Sequence, residues 1–167
     1  MQVTFHGHAC VTVRHGGQVV AIDPGTFSDA AAALADAGTV LLTHQHPDHV
    51  DTGALGDALA ARPELTVWAP EEVAAAVRPS LPDGATSRVH VVAPGDGLDL
   101  GGLEVVVGGG QDGVGEEGPA APRVVVGGVE VNLCQAVDDR KWSGAFFPAG
   151  VQTIIGDDAL KFVRQRH

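Results

Sequence analysis

Apolar and polar positions change period several times along the chain. VTFHG (3–7), ACVTVRH (9–15) and QVVAID (18–23) alternate or cluster β-branched residues, and His15-Gly16-Gly17 supplies hairpin punctuation, so three short antiparallel strands are predicted at the start. Asp23-Pro24-Gly25 then breaks the sheet. SDAAAALADAG (28–38) reads as a short helix, with Ser28 as its cap, alanine-rich propensity and Gly38 as its terminator. Beyond it TVLLT (39–43) reads as a strand, TGALGDALAAR (52–62) as a helix, LTVWAP (65–70) as a strand, EEVAAAVR (71–78) as a helix and RVHVVAP (88–94) as a strand. Alternating strands and helices predict an α/β fold.

From Gly95 the texture changes to a turn-rich meander, with one strand at 103–107 and a stretch rich in Gly, Pro and Glu from Gly108 to Pro122 that reads as a mobile loop and a lid. RVVV and VEVNL resemble a hairpin through Gly127-Gly128; AFFPAG and VQTII read as short apolar strands, and DDALKFVRQRH (157–167) as a terminal helix with acid at its start and base at its end. No internal repeat or long linker interrupts the chain, so residues 1–167 are expected to form a single domain.

The composition narrows the function. With 167 residues, 44% hydrophobic and 19% charged, the chain is long enough to bury a core without disulfides. Ten Lys and Arg against 21 Asp and Glu give a net charge of −11, which argues against a nucleic-acid partner, because phosphate binding needs clustered basic residues. No apolar run long enough for a membrane span and no signal-peptide pattern are present, so a soluble cytoplasmic protein with no membrane partner is expected. Cys10 and Cys134 do not suggest a disulfide framework, and the former reads as a buried thiol.

Histidine is the informative residue. Three of the eight fall in the segment Thr43-His44-Gln45-His46-Pro47-Asp48-His49, at the C-terminal end of an apolar strand, where α/β sheets present their chemistry. In extended chain His44 and His46 point the same way, so both can offer nitrogens to one centre, while a turn at Pro47 redirects Asp48 and His49 toward a neighbouring one. Zinc takes such a mixture of imidazole and carboxylate.

These residues match HxHxDH, and together with VTFHGHACVTV and VVAIDPGTF they resemble the metallo-β-lactamase fold superfamily, in particular its small cytoplasmic branch of ascorbate-phosphate lactonase-like metal-dependent hydrolases, over residues 1 to about 107. The resemblance implies an αββα sandwich, shortened in its second half, with one or two zinc ions between the sheets, manganese or iron being alternatives. His44 and His46 would bind the first metal, and Asp48 and His49 the second; Asp48 would also be the catalytic residue that orients the attacking water. Asp23 would be a buried support of the motif loop, and His8 would lie near the site without being an established ligand. The implied activity is hydrolysis of an ester, lactone, amide or phosphodiester by metal-activated water.

The second half departs from that pattern. Gly110-Gln111-Asp112-Gly113 stands where relatives place a third histidine, Phe147 where they place another, and Gly150 where they place a bridging aspartate. Gln111, Asp112 or His90, water, or a second copy of the chain are the candidate replacements; His167 reads as a frayed terminal residue, and Asp138, Asp139, Asp157 and Asp158 as solvated loop and helix-start charges. Counting donors predicts at most one tightly bound metal. The alternative function is a catalytically impaired relative that binds a small molecule or protein. The expected partner is a small-molecule substrate, with a homo-oligomer left open.

Overall fold

The computed structural model describes residues 1–107 in full and, as backbone strands, residues 122–126, 129–132 and 152–155. The chain opens with β1 (Gln2–Gly7), β2 (Cys10–His15) and β3 (Gln18–Ile22), followed by α1 (Ala30–Leu34), β4 (Thr39–Leu41), α2 (Thr52–Ala61), β5 (Thr66–Ala69), α3 (Glu71–Val77) and β6 (Val89–Val91). It continues through β7 (Gly97–Asp99), β8 (Glu104–Val107), β9 (Pro122–Val126), β10 (Val129–Asn132) and β11 (Gln152–Ile155). One sheet has seven strands in the order β11-β1-β2-β3-β4-β5-β6, and the other four in the order β10-β9-β8-β7.

Period-2 alternation makes the first sheet two-faced. On β3, Val19 and Ala21 face one way and pack with Leu34, Leu55, Leu59, Val73 and Val77 of the helical layer. Val20 and Ile22 face the other way and pack with Val13, Leu41, Leu103 and Val105 between the sheets. Helices, first sheet and second sheet therefore form three successive layers of an α/β sandwich. The helix expected at 157–167, the strand expected at 145–150 and residues 108–121 of the loop expected at 108–122 lie outside the described residues, while Pro122 begins β9. No helix among the described residues is long and apolar enough to cross a membrane.

The structure also differs from the sequence expectation around Ser28 and around Leu98. Ser28 does not cap α1: its hydroxyl donates to the Gly25 carbonyl at 2.7 Å, and Asp29 caps instead by accepting from the Ala32 N–H at 3.0 Å. The other difference is β7, expected as part of a turn-rich meander. Gly97, Leu98 and Asp99 pair antiparallel with Val106, Val105 and Glu104, and Leu98 packs into the inter-sheet core. Gly101 and Gly102, at φ +69° and +90°, make the tight turn back to β8, a conformation that glycine adopts without a Cβ penalty.

Helix ends are held by two arginines. The Arg88 guanidinium donates to the carbonyls of Leu59, Arg62 and Leu65 at 2.8, 2.8 and 3.3 Å, and Arg62 donates to those of Ala35 and Ala37 at 3.2 and 2.7 Å. Both place positive charge at the C-terminal ends of α1 and α2, where the helix dipole is negative, and at carbonyls just beyond them.

Candidate metal centre

Strand direction brings distant residues to one edge. β1 and β3 both run antiparallel to β2, and β3 runs parallel to β4, so the C-terminal ends of β1, β3 and β4 lie side by side. His8 follows β1, Asp23 follows β3, and the motif loop 43–49 follows β4. Backbone hydrogen bonds fasten the two longer loops together: Thr26 N–H donates to the Pro47 carbonyl and Asp51 N–H to that of Pro24, both at 2.8 Å. Gly25 is obligatory at this crossing, because a Cβ there would lie 1.9 Å from the Asp48 carbonyl oxygen.

Asp23 is buried at 3% exposure and holds the loop from below. Its Oδ1 accepts from the Thr43 N–H at 2.7 Å, and its Oδ2 accepts from the Thr43 hydroxyl and from His49 Nδ1, the latter at 2.9 Å. With Nδ1–H committed to a carboxylate, the neutral His49 ring presents its Nε2 lone pair, 3.8 Å from Asp48 Oδ2. Burial opposes a charge on His49, but the hydrogen bond and charge of Asp23 and the charge of Asp48 outweigh it and hold its pKa above the ordinary value. Desolvation similarly opposes the Asp48 carboxylate, yet the His8 hydrogen bond and the neighbouring histidines keep its pKa below the ordinary value.

His8 Nε2 lies 2.9 Å from Asp48 Oδ2. His8 lies just beyond the end of β1, at φ +48°, while His6 is on the strand and within 3.0 Å of the Thr12 hydroxyl. His8 and Asp23, at φ +48° and +46°, are the two non-glycine residues with positive φ among the described residues. Each such conformation costs about 1–2 kcal/mol. Both strained positions therefore touch the Asp48/His49 unit.

The motif residues sit as follows. His49 is buried, His44 and Asp48 are half-buried and His46 is exposed. The His44 and His46 rings are 4.8 Å apart and tilted by 44°, and the His44 ring is 5.4 Å from that of His49. The donor atoms of His8, Asp48 and His49 all lie within 4.8 Å of one another. His90 is elsewhere, on β6, with its ring 4.5 Å from that of Trp68 on β5. Gln111, Asp112, Asp138, Asp139, Phe147, Gly150, Asp157, Asp158 and His167 lie outside the described residues. The sequence did not reveal the His8–Asp48 contact, although the GHAC segment was its one local signal.

The residues fit a divalent cation. Imidazole nitrogens with a carboxylate suit zinc, manganese or iron, and a carboxylate behind a ligating imidazole is the usual device for fixing its tautomer. A tetrahedral site with bonds near 2.1 Å has donor–donor edges of about 3.4 Å, and the edges from Asp48 to His8 and His49, at 2.9 and 3.8 Å, bracket that value.

Two facing sheets with helices outside, and a histidine and aspartate loop at the strand ends, define an α/β protein of the metallo-β-lactamase type. Residues 2–129 match the family described as the beta-lactamase superfamily domain, and the chain belongs to that superfamily. It is 37% identical over 75 residues to Protein Rv0786c of Mycobacterium tuberculosis, covering 45% of this chain and 35% of that protein. It is 39% identical over 66 residues to a UPF0173 metal-dependent hydrolase of Shouchella clausii, covering 36% of this chain and 29% of the relative. The structure of Igni18, a metallo hydrolase from Ignicoccus hospitalis, shares the fold with a TM-score of 0.54 at 18% identity, over 77% of this chain and 57% of the other. The matches to the two curated relatives thus span about a third of each relative's length.

Proposed function

We propose that the chain is a metal-dependent hydrolase acting in the cytoplasm on a small-molecule ester, lactone, amide or phosphodiester, with zinc as its metal. The observation that carries this reading is the Asp23–His49 hydrogen bond of 2.9 Å, a buried carboxylate that turns His49 Nε2 toward Asp48. Similarity to a relative named as a metal-dependent hydrolase supports it. A divalent cation held in this pocket supplies Lewis acidity, lowering the pKa of water toward neutrality and polarising the substrate oxygen. His44 and His46 would hold one ion, and Asp48 and His49 a second. Asp48 would also orient the attacking water through its carboxylate. Asp23 fixes the His49 ring, and Gly25 lets the two loops cross at the distance this requires. The His44/His46 and Asp48/His49 pairs give two donors each, fewer than the three of a catalytic zinc, which supports one tightly held ion per chain.

The test combines elemental analysis with a screen of lactones, aryl esters and phosphodiesters on tag-free protein. Activity should vanish on exhaustive chelation, return with zinc, and be lost in His46→Ala. Hydrolysis that survives both chelation and His46→Ala would refute the assignment.

A further inference from the structure

The structure assigns His8 a role beyond the histidine motif: we propose that it is a metal ligand, acting with Asp48 and His49 on one ion. The inference rests on the metal-centre reading above and adds the donor which that reading lacks. Asp48 and His49 supply two donors, and a catalytic zinc ordinarily has three from the protein. His8 Nε2 is already 2.9 Å from Asp48 Oδ2, and its ring centroid is 5.7 Å from that of His49 at 80°.

The backbone holds His8 there independently of the motif. Gly7, at φ +104°, turns the chain out of β1, and His8 follows at φ +48°. A Cβ on Gly7 would meet the Phe27 carbonyl oxygen at 3.2 Å and Ser28 Cα at 3.3 Å, so this turn is packed against the segment after Asp23. The Asp29 N–H donates to the His6 carbonyl at 2.8 Å, tying the same segment to the end of β1. The Phe27 ring stands edge-on to the His8 ring, 5.7 Å away at 88°. A histidine that served only as a turn residue would gain nothing from a left-handed conformation that Asn or Gly adopts more readily. Strained non-glycine backbone concentrates at working sites, where surrounding structure enforces it.

Coordination through Nε2 requires the neutral ring with its proton on Nδ1, so the hydrogen bond to Asp48 seen here would be replaced by a shared ion. A merely positioning His8 would keep that hydrogen bond and never meet the metal.

The experiment titrates the full metal-free chain with cobalt(II) and reads stoichiometry and visible absorption, comparing wild type with His8→Ala and His8→Asn. Asparagine tolerates the left-handed backbone, so it keeps the test open if the alanine variant fails to fold. We expect at least a tenfold weaker affinity and an altered spectrum in the variants, with added imidazole restoring the absorption of His8→Ala. Wild-type affinity and spectrum in a folded His8→Asn variant would overturn the inference while leaving the metal centre standing. Failure of the wild-type chain to bind cobalt would overturn both.

Discussion

Asp23 Oδ2 accepts from His49 Nδ1 at 2.9 Å, with the two side chains 4% and 6% exposed, so the last residue of the histidine motif is aimed by a residue 26 positions earlier. This pair is the pivot of the proposed site. Asp23→Asn keeps the shape but removes the charge and offers a donor where Thr43 N–H and His49 Nδ1–H already donate. Metal affinity should fall 10–100-fold, the usual loss when a ligand's supporting carboxylate is removed. Stability of the metal-free chain should fall by about 3 kcal/mol, the cost of breaking a buried pair from one side. Competition with a chromogenic chelator and urea unfolding read the two effects. Unchanged metal affinity in the Asn variant would show that His49 is not aimed at a metal.

The crossing at Gly25 gives a second prediction. A Cβ would sit 1.9 Å from the Asp48 carbonyl oxygen and 2.6 Å from the His49 nitrogen, and these are backbone atoms that cannot rotate aside. The hydrogen bonds from Thr26 to Pro47 and from Asp51 to Pro24 oppose separation of the loops. Gly25→Ala should therefore cost about 3 kcal/mol, at the upper end of overpacking effects, and should weaken metal binding by displacing Asp48. Gly38→Ala is the control: nothing lies within 4 Å of its Cβ position, and the change should stay within about 0.5 kcal/mol. Equal midpoints for the two variants would contradict the described crossing.

Much of this architecture was legible in the sequence, for reasons that particular segments make plain. Val19-Val20-Ala21-Ile22 is apolar on both faces because β3 is covered by helices on one side and the second sheet on the other. The motif loop stood out because its chemistry is concentrated in consecutive residues. β7 was hidden: Gly97-Leu98-Asp99 offers one apolar residue, and its strand conformation comes from pairing with β8. Ser28 misled because its hydroxyl found the Gly25 carbonyl, leaving the cap to Asp29. The His8–Asp48 contact spans 40 residues and follows from strand order, which periodicity does not encode.

Arg88 should matter for stability through the backbone alone. Its guanidinium reaches three carbonyls at the end of α2 and just beyond it. Those bonds are charge-assisted and partly buried, so Arg88→Ala should destabilise by about 2–3 kcal/mol. Arg88→Lys should recover less than half, since an ammonium cannot reproduce the planar fork. Urea midpoints would report this, and a lysine variant as stable as wild type would show that charge alone suffices.

Alkaline pH should act through Cys10. The residue is fully buried, and burial, with smaller contributions from Asp23 and Asp29, pushes its thiol from 9.0 up to about 12 against an opposing Ser28 hydrogen bond. Above pH 9.0 the unfolded chain releases this proton while the folded chain keeps it, so the unfolded state binds fewer protons and is favoured as pH rises. The thiol's contribution is fully present below 9.0 and is lost progressively as pH climbs through about 12. In a Cys134→Ala background, which leaves a single thiol, the stability advantage over Cys10→Ala should be constant from pH 7 to 8.5 and shrink from pH 9 to 11. Native Cys10 should also resist alkylation at pH 8 and react once urea unfolds the chain. A stability gap independent of pH, or rapid alkylation of the folded protein, would show that the thiol is neither buried nor held protonated.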